Sequence, residues 1–172
     1  MREEETSASL PAFRRTSARL CVLTTAALIN VGSIVQAAEV PSYCTELKQV
    51  AALALAKDKF ASIIGAAREG NFLDSKITLP GWGDCSFYGT RTYTCESQWF
   101  KTAGEGEVAH GRVLEEAKSC LRGGWTEDPS RASPGYVVLH DERQLASITI
   151  NTDLTENGEH IVRLILFLRS SR

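Results

Sequence analysis

Three observations predict the fold class. Two stretches carry apolar residues at helical spacing, a pair of cysteines brackets a hairpin, and the carboxyl-terminal third alternates apolar and polar residues at period two. Together they predict an α+β domain: two helices packed on one face of a mostly antiparallel sheet of four to six strands, stapled by disulfides.

The first 37 residues of the 172-residue chain read as an address rather than as structure. Arg14, Arg15 and Arg19 precede a moderately apolar run from Leu20 to Val35, and Val35-Gln36-Ala37 supplies small residues for cleavage. Thr24, Thr25, Asn30 and Ser33 interrupt that run too often for a membrane span. Residues 1–37 are therefore expected to form a cleavable secretory signal. Residues 38–172 form a single α+β domain, periplasmic or secreted and without stable membrane insertion.

Pro41 and Ser42 open the first helix. Leu47, Val50, Ala54 and Ala61 mark its stripe, and Leu53 and Ala56 widen it. Phe60, Ile63, Ile64 and Ala67 continue a helical spacing toward Gly70, yet residues 60–64 fit a short strand after a break at Asp58 equally well. Gly70-Asn71 marks a turn, and Ser75 to Leu79 read as a short edge strand stopped by Pro80.

The central hairpin follows. Tyr93, Cys95, Ser97 and Trp99 share one face, and Thr92, Thr94, Glu96 and Gln98 share the other. A turn through Gly89-Thr90-Arg91 sets Phe87 opposite Tyr93 and Cys85 opposite Cys95, so rings, cysteines and turn agree on one register. Gly104 to Gly106 read as a flexible link into the second helix. Val108, Val113, Leu114, Ala117 and Leu121 form its stripe, and Gly123-Gly124 ends it. Residues 126–134 are polar and broken by Pro129 and Pro134, which predicts a surface loop. Strands are expected at 136–140, 145–152 and 161–168, with Asn157-Gly158 as the turn between the last two. No internal repeat is evident.

An even number of cysteines after the signal, Cys44, Cys85, Cys95 and Cys120, implies disulfides in an exported domain. If helix, hairpin and helix are successively antiparallel, the start of the first helix lies beside the end of the second. That topology favours Cys44–Cys120 together with Cys85–Cys95. The spacings contain no C-x-x-C and match no zinc pattern, so no metal or redox role is expected of them.

Several function classes lose support. A formal charge of −2 leaves no basic footprint for nucleic acid. His110, His140 and His160 form no local metal pair, and no phosphate-cradling loop or nucleophile elbow occurs, so no cofactor is expected. Asp84 and Glu96 share the hairpin's outer face and are the one carboxylate pair suited to glycoside-type hydrolysis.

The last strand is unusual. Val162, Leu164, Leu166 and Leu168 fill one face, yet Ile161, Ile165 and Phe167 occupy the other beside Arg163. Such a strand is either covered on both sides or displays a partner surface. The expected function is therefore non-catalytic capture of another protein, with a homodimer as the other form of partnership. The expected binding residues are Ile161, Arg163, Ile165 and Phe167, with Trp82 as an aromatic contact. Hydrolysis by Asp84 and Glu96, or a dimerising structural component of the envelope, are the alternatives. The element order is similar to that of several small periplasmic inhibitor and immunity proteins and of secretion-chaperone-like folds. That likeness is of architecture alone and carries no functional residue.

Overall fold

The computed structural model describes residues 40–169; the expected signal, residues 1–37, lies outside them. Helix α1 spans Cys44–Leu55 and is followed by strands β1 (Ile64–Ala67), β2 (Phe72–Ser75), β3 (Cys85–Tyr88) and β4 (Thr92–Glu96). Helix α2 spans Ala103–Cys120 and is followed by β5 (Trp125–Glu127), a 3-10 turn at Pro129–Arg131, β6 (Tyr136–Asp141), β7 (Ala146–Leu154) and β8 (His160–Leu168). The strands form one antiparallel sheet in the order β1-β2-β3-β4-β8-β7-β6-β5. The α+β class with two helices is as expected, but the sheet has eight strands rather than four to six. Each half of the domain is a helix followed by a four-stranded meander, and the halves join where β4 pairs β8. This duplication of plan left no repeat in the sequence, because the two meanders are built from different residues.

Both helices bury their apolar stripes against one face of the sheet. Leu47, Val50, Ala51 and Ala54 of α1 and Ala109, Val113 and Ala117 of α2 meet Phe87, Tyr93, Ile148, Ile150, Leu164 and Leu166 in one core. Each fully buried leucine or isoleucine there contributes about 1.5–3 kcal/mol through apolar surface withdrawn from water. Two disulfides tie this face: Cys44 to Cys120, joining the start of α1 to the end of α2, and Cys85 to Cys95, which are directly opposed in the hairpin register. Their presence places the domain in an oxidising environment. Among the described residues no helix is long and apolar enough to cross a membrane.

Local chemistry explains where element boundaries differ from expectation. Helix α1 stops at Leu55, since Ala56 is extended and Lys59 takes a left-handed φ of 51°. Residues 58–63 then form turns, with the Phe60 carbonyl accepting from the amides of Ile63 and Ile64. Neither the long helix nor a strand over 60–64 forms, and the turns let Phe60 reach the core, where it meets Phe87 at 5.2 Å. The second strand lies at 72–75 rather than 75–79. The Ser75 hydroxyl accepts from the Ile77 amide at 3.2 Å and donates to the Ile77 carbonyl at 2.7 Å, which curls the chain out of the ladder.

Gly104 and Gly106 are not a linker but lie inside α2. Thr102 and Glu105 form a reciprocal capping box whose hydroxyl and carboxylate satisfy the first amides. Such a cap, worth about 1 kcal/mol, offsets the helix penalty of about one of these glycines. Gly106 has a packing role: a Cβ there would stand 3.2 Å from His160 Cβ and 3.3 Å from Thr152 Cγ2, so its absence lets α2 approach the β7–β8 hairpin. Val108, expected in the buried stripe, is exposed, and Gly106, Ala109, His110, Val113, Ala117 and Cys120 form that stripe instead. The polar loop over 126–134 contributes the end of edge strand β5 and a short 3-10 turn. Trp99 was expected on the buried face but is 60% exposed, because β4 ends at Glu96 and the alternation ends with it.

Candidate functional site

Antiparallel register fixes which side chains share the helix-free face of the sheet. One row across it runs Phe72, Tyr88, Thr92, Phe167, Ser147 and His140. The next runs Asp74, Ser86, Thr94, Ile165, Thr149 and Val138. A third carries Glu96, Arg163, Asn151 and Tyr136. Phe72 and Tyr88 stack edge to face at 5.4 Å and are 43% and 53% exposed, while Ile165 and Phe167 are half-buried. On the face away from the helices, the exposed pair Phe72 and Tyr88 on β2 and β3 is therefore separated from the half-buried Ile165 and Phe167 of β8 by Thr92 and Thr94 of β4.

Ion pairs flank these side chains. Arg68 grips Asp84 through both terminal nitrogens, at 2.6 and 3.0 Å, and donates its Nε proton to Asp74. Arg163 donates through Nε to Glu96 at 2.9 Å and through Nη1 to Asp153. Four carboxylates against two guanidinium groups give this face an acidic border.

The expected binding residues do not form one cluster. Ile165 and Phe167 lie on the helix-free face, and Arg163 lies there too, with its guanidinium engaged by two acids. Ile161 is 1% exposed and offers no surface to a partner. Trp82 lies elsewhere, in the β2–β3 loop, where its ring meets Tyr43 edge to face at 5.7 Å beside the helices. Sequence reasoning missed Phe72 and Tyr88. The alternation that buries Phe87 already turned Tyr88 outward, but misplacing β2 hid its neighbour Phe72.

Trp82 belongs to a cleft on the helical side. Tyr43, Pro80, Trp82, Gln98, Phe100 and Arg112 border a cavity of about 330 Å³. A second, more apolar hollow of about 470 Å³ shares Phe100 and Arg112 with it and is lined by Gly104, Val108 and Ala109. The Tyr43 hydroxyl donates to Glu116 at 2.9 Å; burial, then that carboxylate, push the phenol well above its ordinary pKa, so it stays protonated.

The groups that suggested catalysis are otherwise engaged. Asp84 and Glu96 are each held by an arginine and are substantially exposed, the opposite of the desolvated, unpaired setting that makes a carboxyl a general acid. His140 Nε2 donates to Asp128 Oδ2 at 3.2 Å, and Ser147 stands directly across the ladder. His140 Nδ1 and Ser147 Oγ nevertheless have no partner, and Ser147 is fully buried, so the trio lacks the serine–histidine hydrogen bond and access that acyl transfer requires. The Ser130 hydroxyl, and after it His140, hold the Asp128 carboxyl below the usual range. His110 lies buried, its Nε2 donating to the Ile150 carbonyl at 3.1 Å. Among the described residues no group of three potential ligands could hold a metal ion.

Comparison with protein-family models, with curated proteins and with solved structures returns no match, so the functional reading rests on this geometry.

Proposed function

We propose that this is a non-catalytic binding protein, exported to the periplasm or secreted, which captures another protein on the helix-free face of its sheet. The single observation that carries this reading is the stripe from Phe72 and Tyr88 to Phe167 and Ile165. It is two apolar pairs joined across Thr92 and Thr94 of β4, held on one sheet and bordered by acidic residues, with neither α1 nor α2 over it. An inhibitor or immunity role is one form of such capture. The hydrolase reading loses support because Asp84 and Glu96 are both paired with arginines. A dimerising envelope component would use the same stripe, but the acidic border on each copy would oppose face-to-face pairing.

The test is affinity capture from the source cell's envelope and culture fluid with oxidised protein expressed from the full chain, alongside size measurement of the bait. The expected result is one stoichiometric partner that Tyr88→Asp loses and the exposed, distant Leu154→Asp keeps. Equal capture by both variants would refute the assignment of the face. A bait that is dimeric by itself and becomes monomeric on Tyr88→Asp would establish the structural reading instead.

A further inference from the structure

The charges on the helix-free face follow one order across the sheet. From β2 toward β7 they run Asp74, Arg68, Asp84, Glu96, Arg163 and Asp153, with Arg68 reaching in from the turn after β1. Arg68 spends three donors on Asp74 and Asp84, and Arg163 spends two on Glu96 and Asp153, so each guanidinium lies between two acids. The alternation of sign fails at one point. Asp84 and Glu96 stand side by side across the hairpin, where the Glu96 amide donates to the Asp84 carbonyl at 2.9 Å. Among the described residues no lysine or arginine pairs with both of them.

Like charges at neighbouring ladder positions destabilise a sheet, and a cation placed between them would relieve that cost. The face as a whole makes the same demand. Four acids against two guanidinium groups leave two negative charges uncompensated. The Asp84 and Asp74 side chains are 54% and 46% exposed, so their remaining lone pairs face outward. Four residues along the chain from Asp84, about 13 Å at the rise of an extended strand, Tyr88 and its neighbour Phe72 offer open ring surface, to which cations are also drawn. Charge complementarity therefore disfavours an acidic partner surface and favours a basic one.

We infer that the partner captured on this face presents a basic patch, with a lysine or arginine side chain seated between Asp84 and Glu96 and an apolar or aromatic group against Tyr88 and Phe72. The inference rests on the sheet-face reading and adds to it the charge of the partner.

The probes are a capped peptide with a run of lysines between two tryptophans and the same peptide with glutamate in place of lysine. Each is titrated by calorimetry into oxidised protein expressed from the full chain. The lysine peptide should bind, more weakly as salt rises, and the glutamate peptide should not. Asp84→Asn/Glu96→Gln should weaken the lysine peptide by about fivefold, the scale of two partly exposed charge pairs. Arg68→Gln, which removes a cation from the face, should tighten it instead. Glu107→Gln/Glu115→Gln, the same change of charge at exposed positions of α2, should leave it within about twofold. The opposite signs expected of the two face variants keep the test decisive should circular dichroism show that one of them folds poorly. Failure of the lysine peptide to bind, equal binding of both peptides, or equal weakening by the face and α2 double variants would overturn the inference. Envelope capture separates that failure from failure of the face itself. A partner lost on Tyr88→Asp but retained by Asp84→Asn/Glu96→Gln would keep the sheet face and remove its basic partner.

Discussion

The two halves of the domain follow one plan, helix then four-stranded meander, yet they are held together by different means. In the first half the strands are four, four, four and five residues long. A disulfide crosses its central hairpin, and Phe60, Phe87 and Tyr93 form a chain of ring contacts at 5.2 and 5.4 Å. In the second half β7 and β8 are nine residues each and pair along their whole length, with Ile148, Ile150, Leu164 and Leu166 fully buried and no disulfide within the meander. Short strands bury few side chains each, so a cross-link and large rings supply what ladder length supplies on the other side. The short half also leaves Phe72 and Tyr88 uncovered, which is where the proposed partner surface begins.

Removing the links one at a time breaks this comparison most strongly. Cys44–Cys120 joins residues 76 apart, and Cys85–Cys95 joins residues 10 apart. On the loop-entropy account the first stabilises by about 4.5 kcal/mol and the second by about 2.7 kcal/mol. Urea unfolding of Cys44→Ser/Cys120→Ser and of Cys85→Ser/Cys95→Ser proteins should show that order. Hydrogen exchange adds the regional test: loss of Cys85–Cys95 should expose amides of β2 and β3 while β7 and β8 stay protected. Equal loss in both halves would show that the domain is one cooperative unit with no division of labour.

Core truncation sharpens the same contrast. Leu164→Ala, in the long ladder, should cost about 2–5 kcal/mol, because a fully buried leucine leaves a cavity that a nine-residue pair cannot collapse. Leu73→Ala, on a half-buried site of the short β2, should cost clearly less, since water and neighbours can fill the space. Comparable denaturation midpoints for the two variants would remove the distinction.

The smallest expected effect concerns acid. Asp128, at the second half's edge, has its carboxyl held below the usual range by Ser130 and then by His140. A depressed folded-state pKa means that the unfolded chain binds the proton more readily. Its contribution is therefore complete above the ordinary aspartate range near pH 4 and is lost as pH falls through the lower folded-state value. Melting temperature measured from pH 6 to pH 2 should fall less steeply in Asp128→Asn than in the wild type, and parallel curves would show that the pair does not contribute.

Much of the frame was legible because local rules and tertiary structure agreed there. The hairpin register Cys85↔Cys95 and Phe87↔Tyr93 follows from period-two alternation about Gly89, and the burial of Val162, Leu164, Leu166 and Leu168 follows from the same rule. Where local signals competed, the reading went astray. Two glycines suggested a linker at 104–106, but the Thr102–Glu105 capping box and the close packing of Gly106 made helix. The candidate site was legible only in part: Ile165 and Phe167 are on the open face, Ile161 is buried, and Trp82 lies on the helical side.

The sequence by itself determined the two helices, the central hairpin, the last three strands of the second meander and the two-faced character of β8, since each depends on the spacing of neighbours along the chain; edge strand β5 was read as loop. The tertiary structure alone decided that β4 pairs β8, that the sheet therefore continues through eight strands, and that Phe72 and Tyr88 fall in one row with Phe167. The β4–β8 pairing joins residues as far apart in the chain as Thr92 and Phe167. No periodicity carries such information, because it arises only when the two meanders meet over a shared core.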